Sequence, residues 1–189
     1  MSHPKVIHAA EGAQYVSYSS RPQIKLGTKM VFQDGRAFRF ASAGASVALV
    51  PGFLYQSQVP TLNSGLAVAT HAVGDQSLTV TFGGAVTLNE YEEGFVWMDT
   101  NANSVSTMYK IRSHPAGTAV ALALYSKINE AILAASTVSA IKSPYKSVII
   151  HPSSPTAMVV GACVYAIPVS SYGWLQVKGP CPIMNDTAT

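Results

Sequence analysis

Charge is what this chain has least of. Of its 189 residues, 11% are Asp, Glu, Lys or Arg, where a typical soluble domain carries about 25%. A monomer of this length exposes a large surface and ordinarily covers it with charge. Here much of the surface is neutral-polar or apolar, a condition tolerated where partner proteins cover it. The shortage also restricts chemistry. Nine acidic residues in all, three of them bunched at Glu90, Glu92 and Glu93, leave few general acids or bases. The basic residues are scattered, which excludes the dense basic run with interleaved aromatics that nucleic acids require. Cysteine is scarce too: Cys163 and Cys181 have neither metal-ligand spacing nor a Cys-x-x-Cys arrangement. They read as free buried thiols of a protein made in a reducing cytoplasm. A membrane span needs about 20 consecutive apolar residues, and the uncharged stretch from Phe40 to Gly74 is broken by Pro51, Gly52, Pro60 and Asn63. His3, Pro4 and Lys5 stand where a signal peptide would need its apolar region, so none is predicted and the Asn185-Asp186-Thr187 sequon has no role.

The catalytic and metal motifs are missing as well. There is no Gly-x-Ser-x-Gly elbow. The histidines, His3, His8, His71, His114 and His151, form neither His-x-His nor His-Glu-x-x-His. Gly83-Gly84 is not followed by a helix pattern, so it is no phosphate loop. Asp99-x-Asn101-x-Asn103 opens like a calcium loop, but Ser104 stands where its glycine belongs and Lys110 where its bidentate glutamate belongs. It reads as an Asp/Asn-rich turn. The sequence therefore predicts a protein that is not an enzyme, with no catalytic residue, no metal and no cofactor.

The charge that is present is segregated. Residues 1–39 hold six bases against two acids, a net of +4, and residues 71–100 hold five acids and no base. A basic front and an acidic middle suit complementary contacts between neighbouring subunits.

The strongest local signal is a hairpin over Thr28–Ala41. Met30 and Phe32 alternate before Asp34-Gly35, and Phe38 and Phe40 alternate after it. Period two places the four large side chains on one face, and Asp-Gly predicts a two-residue type I′ turn. Short strand patterns continue to the end: Phe53–Val59, Leu66–Ala72, Ser77–Phe82 closed by Gly83-Gly84, Phe95–Met98, Ser104–Arg112, Thr118–Tyr125, Thr137–Lys142, Ser147–His151, Ala157–Ile167 and Gly173–Lys178. Gly and Pro punctuate them. A short helix is predicted over Ile128–Ala135, where Ile128, Ala131, Ile132 and Ala135 share one side. The fold class that follows is all-β, an antiparallel β-sandwich or barrel with an extended N-terminal arm. The arm is residues 1–25, and one β-rich domain spans 26–189.

The arm is polar and aperiodic with a few apolar anchors, which fits either a loose tail or a segment that orders on a neighbouring protein. Its candidate contacts with capsid or neighbouring subunits are Ile7, Tyr15, Tyr18, Arg21, Ile24 and Lys25. Trp174, on a strand where it alternates with Gln176, is either a core residue or a further aromatic contact.

Four segments resemble known proteins. Gly44-Ala-Ser-Val-Ala-Leu-Val-Pro-Gly52 and Gly173-Trp-Leu-Gln-Val-Lys-Gly179 resemble capsid decoration (cement) proteins of tailed bacteriophages. Asp34-Gly-Arg-Ala-Phe-Arg-Phe40 and Tyr109-Lys-Ile-Arg-Ser-His-Pro115 are similar to segments of marine-phage virion proteins. The resemblance implies a β-rich protein on the outer face of an icosahedral shell, assembled in the host cytoplasm, that clamps neighbouring major capsid protein subunits as a dimer or trimer. It carries over no catalytic residues, and nucleic acid and membrane are not among the implied partners. The competing reading is a β-sandwich head fibre or knob that binds carbohydrate or a receptor, for which Trp97 beside Asp99–Asn103 is the grouping of interest.

Overall fold

The Asp34-Gly35 hairpin forms, with a different turn from the one its dipeptide suggests. In the computed structural model, which describes residues 6–61, 63–100 and 107–184, the Phe32 and Arg36 backbones pair across a three-residue loop (Phe32 N–H to Arg36 O, 2.9 Å). Gly35 N–H donates to Phe32 O at 3.0 Å, and Gly35 has a positive φ of 86° while Asp34 does not. This is a type I turn closed by a left-handed glycine, the usual three-residue hairpin loop. The Asp34 carboxylate fixes it by accepting the Arg36 N–H at 2.9 Å. The register is centred on Asp34 rather than between Asp34 and Gly35, and Met30, Phe32, Phe38 and Phe40 are all buried.

All regular structure among the described residues is β. In chain order the strands are β1 Ile7–His8, β2 Ser17–Tyr18, β3 Lys29–Val31, β4 Ala37–Ser42, β5 Leu54–Gln56, β6 Leu66–Val68, β7 Ser77–Val86, β8 Phe95–Thr100, β9 Met108–Ser113, β10 Gly117–Leu124, β11 Thr137–Ile141, β12 Ile149–Ile150, β13 Val159–Cys163 and β14 Tyr172–Lys178. Where the sequence suggests one domain over 26–189, the chain divides into two compact units: residues 60–143, and the segments on either side. Pro60 and Pro144 stand at the crossings, with no linker composition to mark them.

The outer segments build a mixed sheet of order β1-β3-β4-β14-β13-β5-β12, with β2 also on β14. One face carries Ala41, Tyr55, Cys163 and Leu175, packed with Leu49, Val148 and Ile167. A bridge between Ala43 and Val148 links the chain beyond β4 to the start of β12. The other face carries Met30, Phe38, Phe40 and Trp174. Phe40 is the hub, with ring centroids 5.1 Å from Trp174, 6.2 Å from Tyr172 and 6.1 Å from Tyr18.

Residues 60–143 form a closed antiparallel barrel, β10-β7-β6-β11-β8-β9. Alternation in β7 sends Leu78, Val80 and Phe82 inward, against Val120, Leu122, Ile111 and Val138. Gly83-Gly84 does not end the strand; β7 runs through both to Val86. The helix suggested over 128–135 is absent. The i, i+4 pair Ile128 and Ile132 does face one core, but from extended chain. Their backbones make ladder-like bonds, Ile128 with Gly74 and Asp75, and Ile132 with His71. Those bonds compete with helix formation and win, because buried amides must be paired.

Candidate interaction surface

The anchor residues of the arm are brought together, but on the chain's own sheet. Ile7 pairs with Met30 in the parallel β1–β3 ladder, and Tyr18 pairs with Tyr172 in β2–β14. Ile7, Tyr18 and Ile24 pack on the Phe40–Trp174 cluster with Ala9 and Val16. Residues 6–25 are thus a strap that shields an aromatic face from water. Trp174 is 3% exposed and is core. Arg21 donates from Nε to Ile24 O at 3.4 Å, and Lys25 O accepts the Thr28 N–H at 3.0 Å. Both sit half-buried at the end of the strap. Tyr15 alone of the seven is exposed. Its ring lies 6.1 Å from that of Tyr165, and its hydroxyl donates to Glu11 at 3.2 Å.

The hairpin tip meets the strap in an exposed ion-pair triad. Arg36 bonds Asp34 through Nε at 2.6 Å and Glu11 through Nη2. The Arg36 side chain holds the Glu11 carboxyl below the usual carboxylate range. For Asp34 the Arg36 backbone N–H does so first and its guanidinium second. An open cleft of about 800 Å³ lies beside this triad, between His8–Glu11 and the hairpin.

Surfaces that the sequence reading does not single out are still open. On the mixed sheet, Leu54, Val159, Val177 and Ile183 are all exposed and line one groove of about 390 Å³, floored by Gly161, Ala162 and Gln176. Gln176 is buried and donates to Lys178 O at 3.2 Å and Pro180 O at 2.7 Å, which turns the chain so that Ile183 lies along the groove. On the barrel, the ladders place Ala67 opposite Thr81, Thr81 opposite Ala119 and Thr79 opposite Ala121. These outward residues of β6, β7 and β10 are neutral and no larger than threonine, and they leave a flat face. The uncharged 40–74 stretch contributes Leu54 to the groove and Ala67 to the face. Period-two alternation in β6, β7 and β10 was a sequence signal for the face. The groove depends on pairing between β5, β13 and β14 and had none.

Four charged groups of the barrel form two ion pairs. Lys110 Nζ lies 2.7 Å from the wholly buried Glu93 carboxylate, which also accepts the Tyr125 hydroxyl. Lys142 and Glu90 are 2.6 Å apart. Burial works to raise the Glu90 carboxyl, and the bonds from Lys142 and Thr87 outweigh it, leaving it below its ordinary range. The Asp99 carboxylate accepts the Ser139 hydroxyl at 2.7 Å and the Gly65 N–H at 3.0 Å, which ties it into the barrel wall. Asn101 and Asn103 lie outside the described residues. Among the described residues no three His, Cys, Asp or Glu side chains are grouped to hold a metal ion. Burial pushes the Cys163 thiol up to about 11, so it is protonated at neutral pH and a poor nucleophile. No helix of the described residues is long and apolar enough to cross a membrane. Compared with models of protein families, with curated proteins and with solved structures, the chain gives no match.

Proposed function

We propose that the chain is a non-catalytic virion structural protein that decorates the outer surface of an icosahedral phage capsid and bridges neighbouring major capsid subunits, acting as a homo-oligomer. The observation that carries the reading is the open apolar groove between Leu54, Val159, Val177 and Ile183 on a chain with 11% charged residues. Burying such a surface is favourable by about 25 cal/mol per Å² of apolar area, and a shell offers many copies of one site, so that modest single contacts add through multivalency. The flat neutral barrel face adds a second surface that costs little to desolvate, since it buries no charge. The strap is expected to serve by completing the sheet that carries the groove.

The test is co-sedimentation with shells assembled from the phage's own major capsid protein. Val159→Asp and Val177→Asp place a carboxylate in the groove at exposed positions, so the fold survives and decoration falls at least about tenfold, the effect of about 1.4 kcal/mol. Unchanged decoration by both variants removes the groove from the reading.

The alternative, a carbohydrate-binding knob, is favoured by one observation: the exposed Tyr15–Tyr165 pair beside the Glu11 carboxylate. Tyr165→Ala abolishes glycan-array binding under that reading and leaves shell decoration intact under the first.

A further inference from the structure

Asp34-Gly35 is the sole Asp-Gly or Asn-Gly dipeptide of the chain, and it sits at the exposed tip of the β3–β4 hairpin. Such a dipeptide has a reaction of its own: the amide nitrogen that follows the aspartate attacks the side-chain Cγ. Glycine favours it, because no Cβ stands beside that nitrogen and the backbone turns freely. Nothing crowds the tip. The Asp34 side chain is 50% exposed, and a Cβ built on Gly35 would meet no atom within 4 Å.

The folded tip turns the reacting groups away from each other. Gly35 N–H donates to Phe32 O at 3.0 Å. The Asp34 side chain reaches past Gly35 to Arg36: Oδ1 accepts the Arg36 N–H at 2.9 Å, and Oδ2 accepts the Nε–H at 2.6 Å. Cyclisation also needs a neutral carboxyl, because one of its oxygens must depart as water. Donors on both oxygens favour the ionised form, which does not react. The other titratable groups at the tip are Glu11, on the same guanidinium, and His8, which lines the cleft.

We propose that Asp34-Gly35 is a site of spontaneous aspartyl isomerisation that Arg36 holds back. The Gly35 nitrogen forms a bond to Asp34 Cγ, the Cγ–OH bond breaks, and the amide proton leaves with the hydroxyl as water. Solvent water then reopens the resulting succinimide. Addition at Cγ restores aspartate. Addition at the Asp34 main-chain carbonyl carbon leaves the chain running through Cγ, as isoaspartate. Nothing is oxidised or reduced, and the final mass is unchanged. The isomer lengthens the three-residue loop by one backbone atom and moves the carboxylate to Cα, so the Asp34–Arg36 contacts and the Phe32–Arg36 pairing are lost together. The chemistry needs no partner protein.

The experiment incubates the full chain in warm, mildly acid buffer, both native and unfolded in guanidinium chloride. Peptide mapping measures isoaspartate at residue 34, using a protease that cleaves before aspartate and not before isoaspartate. The unfolded chain converts at residue 34. The native chain converts at least about tenfold more slowly, since the tip must first open locally. Native Arg36→Gln converts faster than the native parent, though more slowly than the unfolded chain, because the residue 36 N–H still holds Oδ1. Lys127→Gln, which removes an exposed base of the barrel, converts at the parent's rate. An unfolded chain whose residue 34 stays aspartate overturns the proposal with no variant needed, as does a native parent that converts as fast as the unfolded chain. An Arg36→Gln chain with the parent's Trp174 emission and the parent's slow rate overturns it too, as does equal acceleration by Lys127→Gln.

Discussion

Replacing Phe40 with Ala tests the packing on which the mixed sheet rests. The ring is 0% exposed and touches three other aromatics, Trp174, Tyr172 and Tyr18. Truncating a core phenylalanine costs about 3–5 kcal/mol in lost transfer energy and cavity. Each aromatic pair is worth about 0.5–1.5 kcal/mol beyond its area. The upper part of the range applies, about 4–5 kcal/mol, because the cavity lies between β4, β14 and the strap and cannot close without shifting all three. In a domain of roughly 100 residues each kcal/mol moves the melting point by about 4–8 °C, so the expected fall is at least about 15 °C. The assay is urea denaturation followed by tryptophan fluorescence in a Trp97→Phe background, so that Trp174 alone reports on the mixed sheet. Val159→Ala, an exposed position, is the control and should shift stability by under about 0.5 kcal/mol. A loss below about 1 kcal/mol for Phe40→Ala would refute the reasoning, because no well-packed aromatic hub yields so little.

Three further outcomes follow from the same geometry. Deleting residues 1–22 strips Ile7, Ala9, Val16 and Tyr18 from the Phe40–Trp174 cluster, so it destabilises the mixed sheet and shifts Trp174 emission to the red; an unshifted spectrum would show the strap to be dispensable. Gly94→Ala puts a Cβ 2.2 Å from Ile141 O and 2.9 Å from Tyr91 O, backbone atoms that cannot swing aside, and should cost more than about 2 kcal/mol in the barrel's denaturation curve. Arg36→Gln releases the Asp34 and Glu11 carboxyls upward toward ordinary values, readable by NMR titration. Because both are depressed in the folded chain, their contribution is present above the unfolded carboxylate range and is lost as pH falls through the folded values. It is small, since the triad is exposed.

Local pattern carried much of this fold. The alternation of Met30, Phe32, Phe38 and Phe40 determined a buried face, and the patterns over Ser77–Phe82 and Thr118–Tyr125 fall on β7 and β10 of an antiparallel assembly, with Tyr125 one residue beyond the end of β10. What failed was information that is not local. Asp-Gly fits either a two-residue or a three-residue loop, and only the pairing of Phe32 with Arg36 decides. Gly83-Gly84 has the composition of a turn, yet both glycines lie within the long β7. Ile128 and Ile132 share a helical spacing, but their amides find Asp75 and His71 in the β6–β7 connection. The division at Pro60 and Pro144 is an insertion of one unit within another, and no local signal separates it from an ordinary turn. For the candidate surface, the scarcity of charge was legible, and neutral apolar surface is what the groove exposes. Its position was not: the arm's anchors are consumed by the chain's own sheet, while the groove is assembled from Leu54, Val159, Val177 and Ile183, residues up to 129 positions apart.

The central claim is that this chain works on a protein lattice, and a mass measurement tests it most directly. Light scattering after size exclusion gives the mass of the free protein, whose single chain is 19.9 kDa, and quantitative sedimentation with purified shells gives the number of copies bound. The account predicts two or three times the chain mass in solution and saturable binding at a fixed ratio to the capsid subunits. A strict monomer that leaves every shell bare at saturating concentration would contradict it.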